Sequence, residues 1–506
     1  MVARFLLSAV ILALVTAARA APVATPSAGV VQVESGALHG VAGPDAISFK
    51  GIPYAAPPVG PLRWEPPQPP TAWSGVREAA AFGAACPQTS SALTAVAGQS
   101  EDCLTLNVWR PLNTDVPATV MVWVHGGGDA GGTASQPQYD GSVFARDGIV
   151  FVSVDYRLGA LGWFAHPALT REAPADQPLG SYGLMDQIAA LQWVKRNIAA
   201  FGGDPARVTV AGESAGGESV LFLMITPAAK GLFTQAIVES GLGWATYPTL
   251  STAETAGADL AKRAGAAPDA DAAALRALPV SALVAAEGGF IGPSVDGRLI
   301  LSDPAWAFAS AAAARVPLLI GSNNGEDNLL GKTDPKALLK DLTPADLAAL
   351  RAAYGPEASD DDALGRAVFR DQLMGAPARW IAARQSNTAP AFLYQFAYVP
   401  QILRARMNTA HHGFEMLFAF EAMARAPRPL VATDTDRAEM SLVHGCWASF
   451  VKTGAPACPG GLTWPPYTPD DDRLMRFGEA NRPEQHFRKA VYDILDRIKM
   501  TALDGR

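Results

Sequence analysis

A serine that ends a β-branched run and is flanked by glycines is a residue type and setting that can make a nucleophile. Residues 208–217 read Val-Thr-Val-Ala-Gly-Glu-Ser-Ala-Gly-Gly, and an apolar, helix-compatible segment follows from Ser219 to Ile225. Strand, sharp turn and helix together are the setting of a nucleophile elbow. Gly212 and Gly216 leave room for the turn, so Ser214 can stand at its apex in a strained conformation. In a chain with 47 glycines the same pentapeptide also fits a plain glycine-rich turn, so the rest of the chain has to decide. A serine hydroxyl is a poor nucleophile at neutral pH. It needs a base to take its proton and donors for the oxyanion that forms.

The donors are readable first. Val120-Met-Val-Trp-Val-His125 runs straight into Gly126-Gly127-Gly128. A glycine run after a strand lets backbone N–H groups approach a substrate carbonyl, and the N–H of Ala215, after the serine, completes an oxyanion hole. The base must come from seven histidines. His39 lies in a hairpin pattern, His125 opens the glycine loop as a support, His166 sits in a loop, and His486 is placed in a polar C-terminal helix. His444 falls inside a periodic helix, where packing is its expected role. His411 and His412 precede Gly413 on a loop before the apolar run Met416–Phe420, and either can turn toward another loop. The orienting acid is sought between serine and histidine in chain order. The strand candidate 316–321 ends in Ser322-Asn-Asn-Gly-Glu326-Asp327, and carboxylates just past such a strand sit on the functional edge of a parallel sheet. Glu326 is the first choice there and Asp327 the reserve.

The elements that must position these residues follow from pattern. Strand candidates are 104–109, 118–125, 149–155, 208–211, 236–238, 317–321, 392–398 and 473–477. Residues 181–200 carry the 3.6-residue apolar period at Leu184, Ile188, Leu191, Val194 and Ile198, which predicts a helix. Strand–helix–strand alternation argues an α/β fold with a large, mostly parallel sheet. Residues 30–54 read as antiparallel hairpins and 55–72 as extended. Residues 335–354 and 360–385 read as helices of a cap region, the second interrupted at Gly375-Ala-Pro377. A helix is expected over 437–452 and another over 485–500. No internal repeat and no sharp linker divides the chain, so residues 21–506 are expected to form one domain.

Composition narrows the function. The 506 residues are 49% hydrophobic and 17% charged, enough for a large core and too apolar for extensive disorder. The net charge is −8 and no basic stripe is present, which argues against nucleic acid as a partner. Arg4, the apolar stretch Phe5–Val15 and Ala18-Arg-Ala20 form a secretory signal peptide, with cleavage expected after Ala20. The product would be secreted or periplasmic, without a stable membrane anchor. Four cysteines suit that oxidising compartment. Proximity along the chain favours Cys86 with Cys103 and Cys446 with Cys458 among three possible pairings. None has the spacing of a metal site.

Together these stretches resemble the type-B carboxylesterase family, which includes the cholinesterases. The resemblance rests on Ser100-Glu-Asp-Cys-Leu-Thr-Leu-Asn-Val-Trp109, His125-Gly-Gly-Gly128, Ser181-Tyr-Gly-Leu-Met-Asp-Gln187, Phe201-Gly-Gly-Asp-Pro205 and Gly212-Glu-Ser-Ala-Gly-Gly217, and it covers nearly the whole mature chain. It implies an α/β-hydrolase fold and hydrolysis of small-molecule carboxylic esters without cofactor or metal. By motif position it implies Ser214 as nucleophile and Gly127, Gly128 and Ala215 as oxyanion donors. The family's Gly-x-Asn-x-x-Glu-Gly pattern reads Gly321-Ser-Asn-Asn-Gly-Glu326-Asp327 here, which selects Glu326. Its base precedes Gly-x-Glu and an apolar run, which selects His412 over His411. Ser240 and Glu213 are implied as supports behind the triad, and Cys86–Cys103 matches the family's first disulfide.

Two departures matter. The residue after the glycine run is usually aromatic in the family, but here it is Asp129. That carboxyl is expected to hydrogen-bond its own loop backbone, the alternative being a charge that selects substrates. The stretch 87–102 holds no aromatic residue, so the cation–π platform for choline esters is missing. The same triad chemistry would also serve amides, thioesters or acyl transfer. A non-catalytic binding module is disfavoured, because serine, acid and histidine are all retained.

Overall fold

The structure is a computed structural model that describes residues 29–89, 98–113, 116–288 and 291–504. The expected signal peptide and its cleavage point lie outside these residues, as does the middle of the loop between Cys86 and Cys103. The strands in chain order are β1 (Val30–Val33), β2 (Gly36–His39), β3 (Val41–Ala42), β4 (Ala46–Pro53), β5 (Val76–Glu78), β6 (Thr105–Pro111) and β7 (Ala118–Val124). They continue with β8 (Val150–Val154), β9 (Gly203–Glu213), β10 (Gln235–Glu239), β11 (Leu318–Asn323), β12 (Ala391–Phe396), β13 (Arg473–Phe477) and β14 (Arg482–Gln485). Strands β1, β2 and β5 form a small separate sheet. The other eleven form one sheet in the order β14-β13-β12-β11-β10-β9-β7-β8-β6-β4-β3. From β13 to β8 every neighbouring pair is parallel, and only the margins are antiparallel. This is the large, mostly parallel sheet of an α/β-hydrolase.

The centre of the sheet is parallel because its strands are apolar on both faces. Every residue of β7 (Ala-Thr-Val-Met-Val-Trp-Val) and β8 (Val-Phe-Val-Ser-Val) is buried, as expected of strands covered on both sides. Alternate side chains feed two cores. Val120, Val122, Val124, Val152 and Val210 face one, and Met121, Trp123, Phe151, Ala211 and Ile237 the other. The longer helices are α1 (Tyr182–Asn197), α2 (Ala215–Ile225), α3 (Leu250–Arg263), α4 (Pro344–Tyr354), α5 (Asp361–Arg370), α6 (Ala376–Gln385), α7 (Asp434–Thr453) and α8 (Lys489–Asp504). Helix α1 runs into a 3₁₀ turn and stops at Gly202, whose φ of 80° suits glycine. A capping box of Thr433 and Asp436 starts α7, and Gly454 in the left-handed region ends it. No helix among the described residues is long and apolar enough to cross a membrane.

Several expectations change in detail. Residues 360–385 do not break at Gly375-Ala-Pro377. They continue from α5 through a π-helical turn, Asp371–Gly375, into α6, with Pro377 in its first turn. Proline fits there because the wider π turn before it, in which Ala376 N donates to Asp371 O, shifts the hydrogen-bond ladder by one residue. Gln485 ends strand β14, and the last helix starts only at Lys489. His486 is therefore a turn residue with φ of 58°, not a helical one. Both disulfides pair as expected, with Cα separations of 5.1 Å for Cys86–Cys103 and 4.3 Å for Cys446–Cys458.

Candidate active site

The carboxyl ends of β7, β9, β10 and β11 converge on one edge, where open α/β sheets bind ligands. Strand β9 ends at Glu213, and Ser214 follows with φ 57° and ψ −126° before α2 begins at Ala215. A β-carbon-bearing residue pays for that region of φ/ψ space, and its surroundings hold it there. Ser214 N donates to Glu239 O at 2.9 Å, and Glu218 N donates to Ser214 O at 2.8 Å. The glycines allow close crossing. A β-carbon on Gly216 would lie 2.1 Å from Val124 O, and one on Gly126 would lie 2.9 Å from Ser214 Cβ. The glycine loop is thus pressed against the elbow.

Gly127 and Gly128 are exposed, with φ of 128° and 63°. Neither of their N–H groups donates to another main-chain group among the described residues. Ala215 N opens α2, where first-turn N–H groups have no partner inside the helix. The loop is buttressed from below. His125 is buried, stacks on Tyr156 at 4.5 Å, and its Nδ1 lies 2.9 Å from Gly126 O. Tyr156 Oη donates to His125 O at 2.7 Å. Burial holds the His125 imidazole down at about 4, so it is a neutral prop, the support role expected of it.

His412 is carried by the loop after β12, which crosses the end of β11 through a one-residue bridge between Gly325 and His411. Its Nδ1 lies 2.6 Å from Glu326 Oε2. Glu326 is fully buried, and its other oxygen accepts from Ser240 Oγ at 2.6 Å and from Asn323 N at 2.9 Å. Asn323 Nδ2 donates to His411 O at 2.8 Å and also to Glu415. His411 enters this network through its main chain, and its ring lies 5.8 Å from that of Phe414. Asp327 falls in the 3₁₀ turn after β11, and the carboxyl that meets the imidazole is that of Glu326. Of the remaining histidines, His444 is buried in α7, bonded to Ala419 O and Asp147, and His166 caps the short helix Pro167–Glu172.

One arrangement departs from a simple triad. His412 Nε2 lies 3.1 Å from Glu213 Oε1, while Ser214 Oγ makes no hydrogen bond among the described residues. The base–nucleophile bond often forms fully only with substrate in place. Glu213 belongs to a buried acid group with Glu239, Glu326 and Glu415. Burial raises Glu213 to about 7, against the pull of His412. Burial, opposed by the Trp447 indole N–H, raises Glu239 to about 8. Burial and the neighbouring Glu213 and Glu239 push Glu415 well above the usual carboxyl range. For His412, burial disfavours the cation, but Glu213 and Glu326 outweigh it and raise the imidazole to about 10.

Asp129 corrects an expectation. Its carboxyl does not bond its own loop. It is 4% exposed and hydrogen-bonds Glu218 on the first turn of α2. Asp129 has φ of 59°, and its main-chain carbonyl accepts from Gly159 N and Trp163 Nε1. Glu239 and Glu218 were not singled out in the sequence, where only proximity to the motifs marks them, whereas Asn323 is the Asn of the Gly-x-Asn-x-x-Glu pattern and its role as a clamp on the histidine loop was not drawn from it.

The profile described as the carboxylesterase family matches residues 27–349 and 347–495. The chain is 36% identical over 494 residues to the para-nitrobenzyl esterase of Bacillus subtilis (strain 168), covering 92% of this chain and 98% of that one. It is 36% identical over 468 residues to the fumonisin B1 esterase of Sphingopyxis macrogoltabida, covering 88% and 85%. Among solved structures, a PNB esterase superposes with a TM-score of 0.81 at 33% identity, covering 93% of this chain and 100% of that one.

Proposed function

This chain belongs to the carboxylesterase family and is a carboxylic ester hydrolase, and from that premise we propose that it is a secreted or periplasmic enzyme working through a Ser214–His412–Glu326 triad. Residues 21–506 act as one catalytic domain behind a cleaved leader. Ser214 Oγ attacks the ester carbonyl carbon while His412 Nε2 takes its proton. Glu326 holds the imidazole by Nδ1, which fixes the tautomer and stabilises the imidazolium. The N–H groups of Gly127, Gly128 and Ala215 receive the oxyanion, and one such donor contributes about 3 to 4 kcal/mol to the transition state. His412 then protonates the leaving alkoxide as the tetrahedral intermediate collapses to the acyl-enzyme. Water, deprotonated by the same imidazole, attacks the acyl carbon and restores Ser214.

The observation that carries this reading is the 2.6 Å Glu326–His412 hydrogen bond on a loop seated beside the strained Ser214 elbow. Ser240 and Asn323 N fix the carboxylate in turn. The test is p-nitrophenyl acetate hydrolysis by Ser214→Ala. Removing a triad nucleophile should cost several orders of magnitude in kcat. A variant keeping about a tenth of the activity would refute the assignment, since triad losses are far larger than that.

A further inference from the structure

The glycine loop and helix α2 supply the two halves of the oxyanion hole, and a pair of buried carboxyls joins them. Asp129 directly follows Gly128. Glu218 is the fourth residue of α2, which starts at Ala215. The two side chains are 4% and 2% exposed and hydrogen-bond each other. A carboxyl–carboxyl hydrogen bond requires a proton on one partner, because two buried anions in contact cannot both persist. The setting says which partner holds it. Glu218 lies in the first turn of a helix, where the N-terminal partial charge favours an anion, and it accepts a hydrogen bond from Tyr247 Oη. Asp129 Oδ1 is buried with no hydrogen-bond partner, as suits a neutral acid.

The titratable groups facing the pair and its partners are Tyr247 and Asp303 on the α2 side. Tyr156, Asp155 and the neutral His125 lie beneath the loop. None of these brings a positive charge.

Resting on the triad reading above, we propose that Asp129 is a positioning residue: its carboxyl proton, donated to Glu218, ties the Gly127–Gly128 donors to the Ala215 donor and sets the width of the oxyanion hole. No atom of either carboxyl needs to touch substrate. Asp129 O is also held, by Gly159 N at 2.8 Å and Trp163 Nε1 at 3.1 Å, so side chain and main chain both fix this residue. The loop can therefore shift only around this residue. Loss of the proton replaces the tie by repulsion between two anions directly behind the developing oxyanion. Burial drives Asp129 well above the usual carboxyl range, with Glu218 adding to it. Burial holds Glu218 at about 7 against the Tyr247 hydrogen bond. The tie therefore holds in acid and neutral solution and fails on the alkaline side.

The experiment measures kcat and KM for p-nitrophenyl acetate from about pH 5 to 9, a range spanning the ordinary and raised carboxyl values. The proteins are the wild type, Asp129→Asn, Glu218→Gln, Asp129→Leu and, as a control, Ser214→Ala. The wild-type kcat should fall away on the alkaline side from the rise that His412 deprotonation sets, with KM little changed. Asp129→Asn keeps a donor to Glu218 that cannot titrate, so its alkaline fall should disappear. Glu218→Gln removes the same charge pair and should flatten the profile likewise. Asp129→Leu cuts the tie and should lower kcat on the order of 10- to 100-fold at every pH, as misplaced catalytic groups do. If that variant does not fold, the isosteric pair still decides. A flat wild-type profile, or an alkaline limb that persists in Asp129→Asn and Glu218→Gln, overturns the proposal. Turnover surviving in Ser214→Ala would instead overturn the triad reading.

Discussion

The residue with the hardest task is His412, which must be neutral to accept a proton and yet sits between two carboxylates. Its Nδ1 meets Glu326 and its Nε2 lies 3.1 Å from Glu213. Against burial, these neighbours raise it to about 10. Glu213 and His412 lie close enough for each to shift the other, so the acid limb of kcat/KM should report both. Glu213→Gln removes the anion at Nε2 and favours the neutral imidazole. The acid limb should then move to lower pH by about one to three units, the usual effect of one close opposite charge. A pH–rate profile of the variant superimposing on the wild type would remove Glu213 from the titration. Glu326→Gln tests the other side. It keeps shape but not charge, and kcat should drop on the order of 10⁴-fold, as when a triad carboxylate becomes an amide. Single-turnover acylation with p-nitrophenyl acetate reads that loss directly.

At the scale of elements, the elbow depends on backbones crossing where no side chain fits. A β-carbon on Gly216 would lie 2.1 Å from Val124 O and 2.9 Å from His125 C, both main-chain atoms that cannot rotate aside. Gly216→Ala should therefore separate α2 from β7, costing at least about 1 to 3 kcal/mol by overpacking and abolishing turnover. The urea midpoint and p-nitrophenyl acetate assay check both, and a variant with wild-type values in each would show that α2 has slack. This element was legible because strand, turn and helix are adjacent in sequence and each has its own pattern. The meeting of His412 with Glu326 was not legible from local pattern. It depends on the Gly325–His411 bridge and on Asn323 reaching His411 O and Glu415 across the chain. Family resemblance supplied the choice of His412 that periodicity left open. The continuous run through Asp371–Gly375 was not legible because Gly and Pro are local breakers, whereas the extra residue of a π turn absorbs them. Strand β14 was missed for a related reason: Arg-Pro-Glu-Gln has little strand character, and only pairing with β13 makes it one.

For the whole molecule, the many buried acids set how stability varies with pH. Burial raises Glu213, Glu218 and Asp155 to about 7, Glu439 to about 7, and Glu239 to about 8. Between the ordinary carboxyl range and these values, the folded chain holds protons that the unfolded chain has released. Stability must then fall as pH rises through that window, because the unfolded state binds fewer protons. His412 acts in the same direction. Its pKa is raised in the fold, so its contribution is complete below its ordinary value and is lost as pH climbs toward about 10. Several groups lowered in the fold oppose this in acid, Asp371 and Asp436 among them. His125, lowered to about 4 by burial, loses its stabilising effect as pH drops below its ordinary range. Asp147, lowered to about 2 chiefly by its hydrogen bond to His444, does so lower still. The balance places maximum stability near the ordinary carboxyl range, at roughly pH 4 to 5, and not at neutrality. Thermal unfolding followed by tryptophan fluorescence should give a higher Tm at about pH 5.5 than at about pH 8.5, with the decline steepest across the window where the buried acids ionise. Glu239→Gln removes one of the highest of these protons without adding charge, so it should flatten the alkaline part of that decline. A Tm that rises steadily from acid to alkaline solution would mean that water or a countercharge reaches the acids when they ionise, and that the sheet edge opens where the structure closes it.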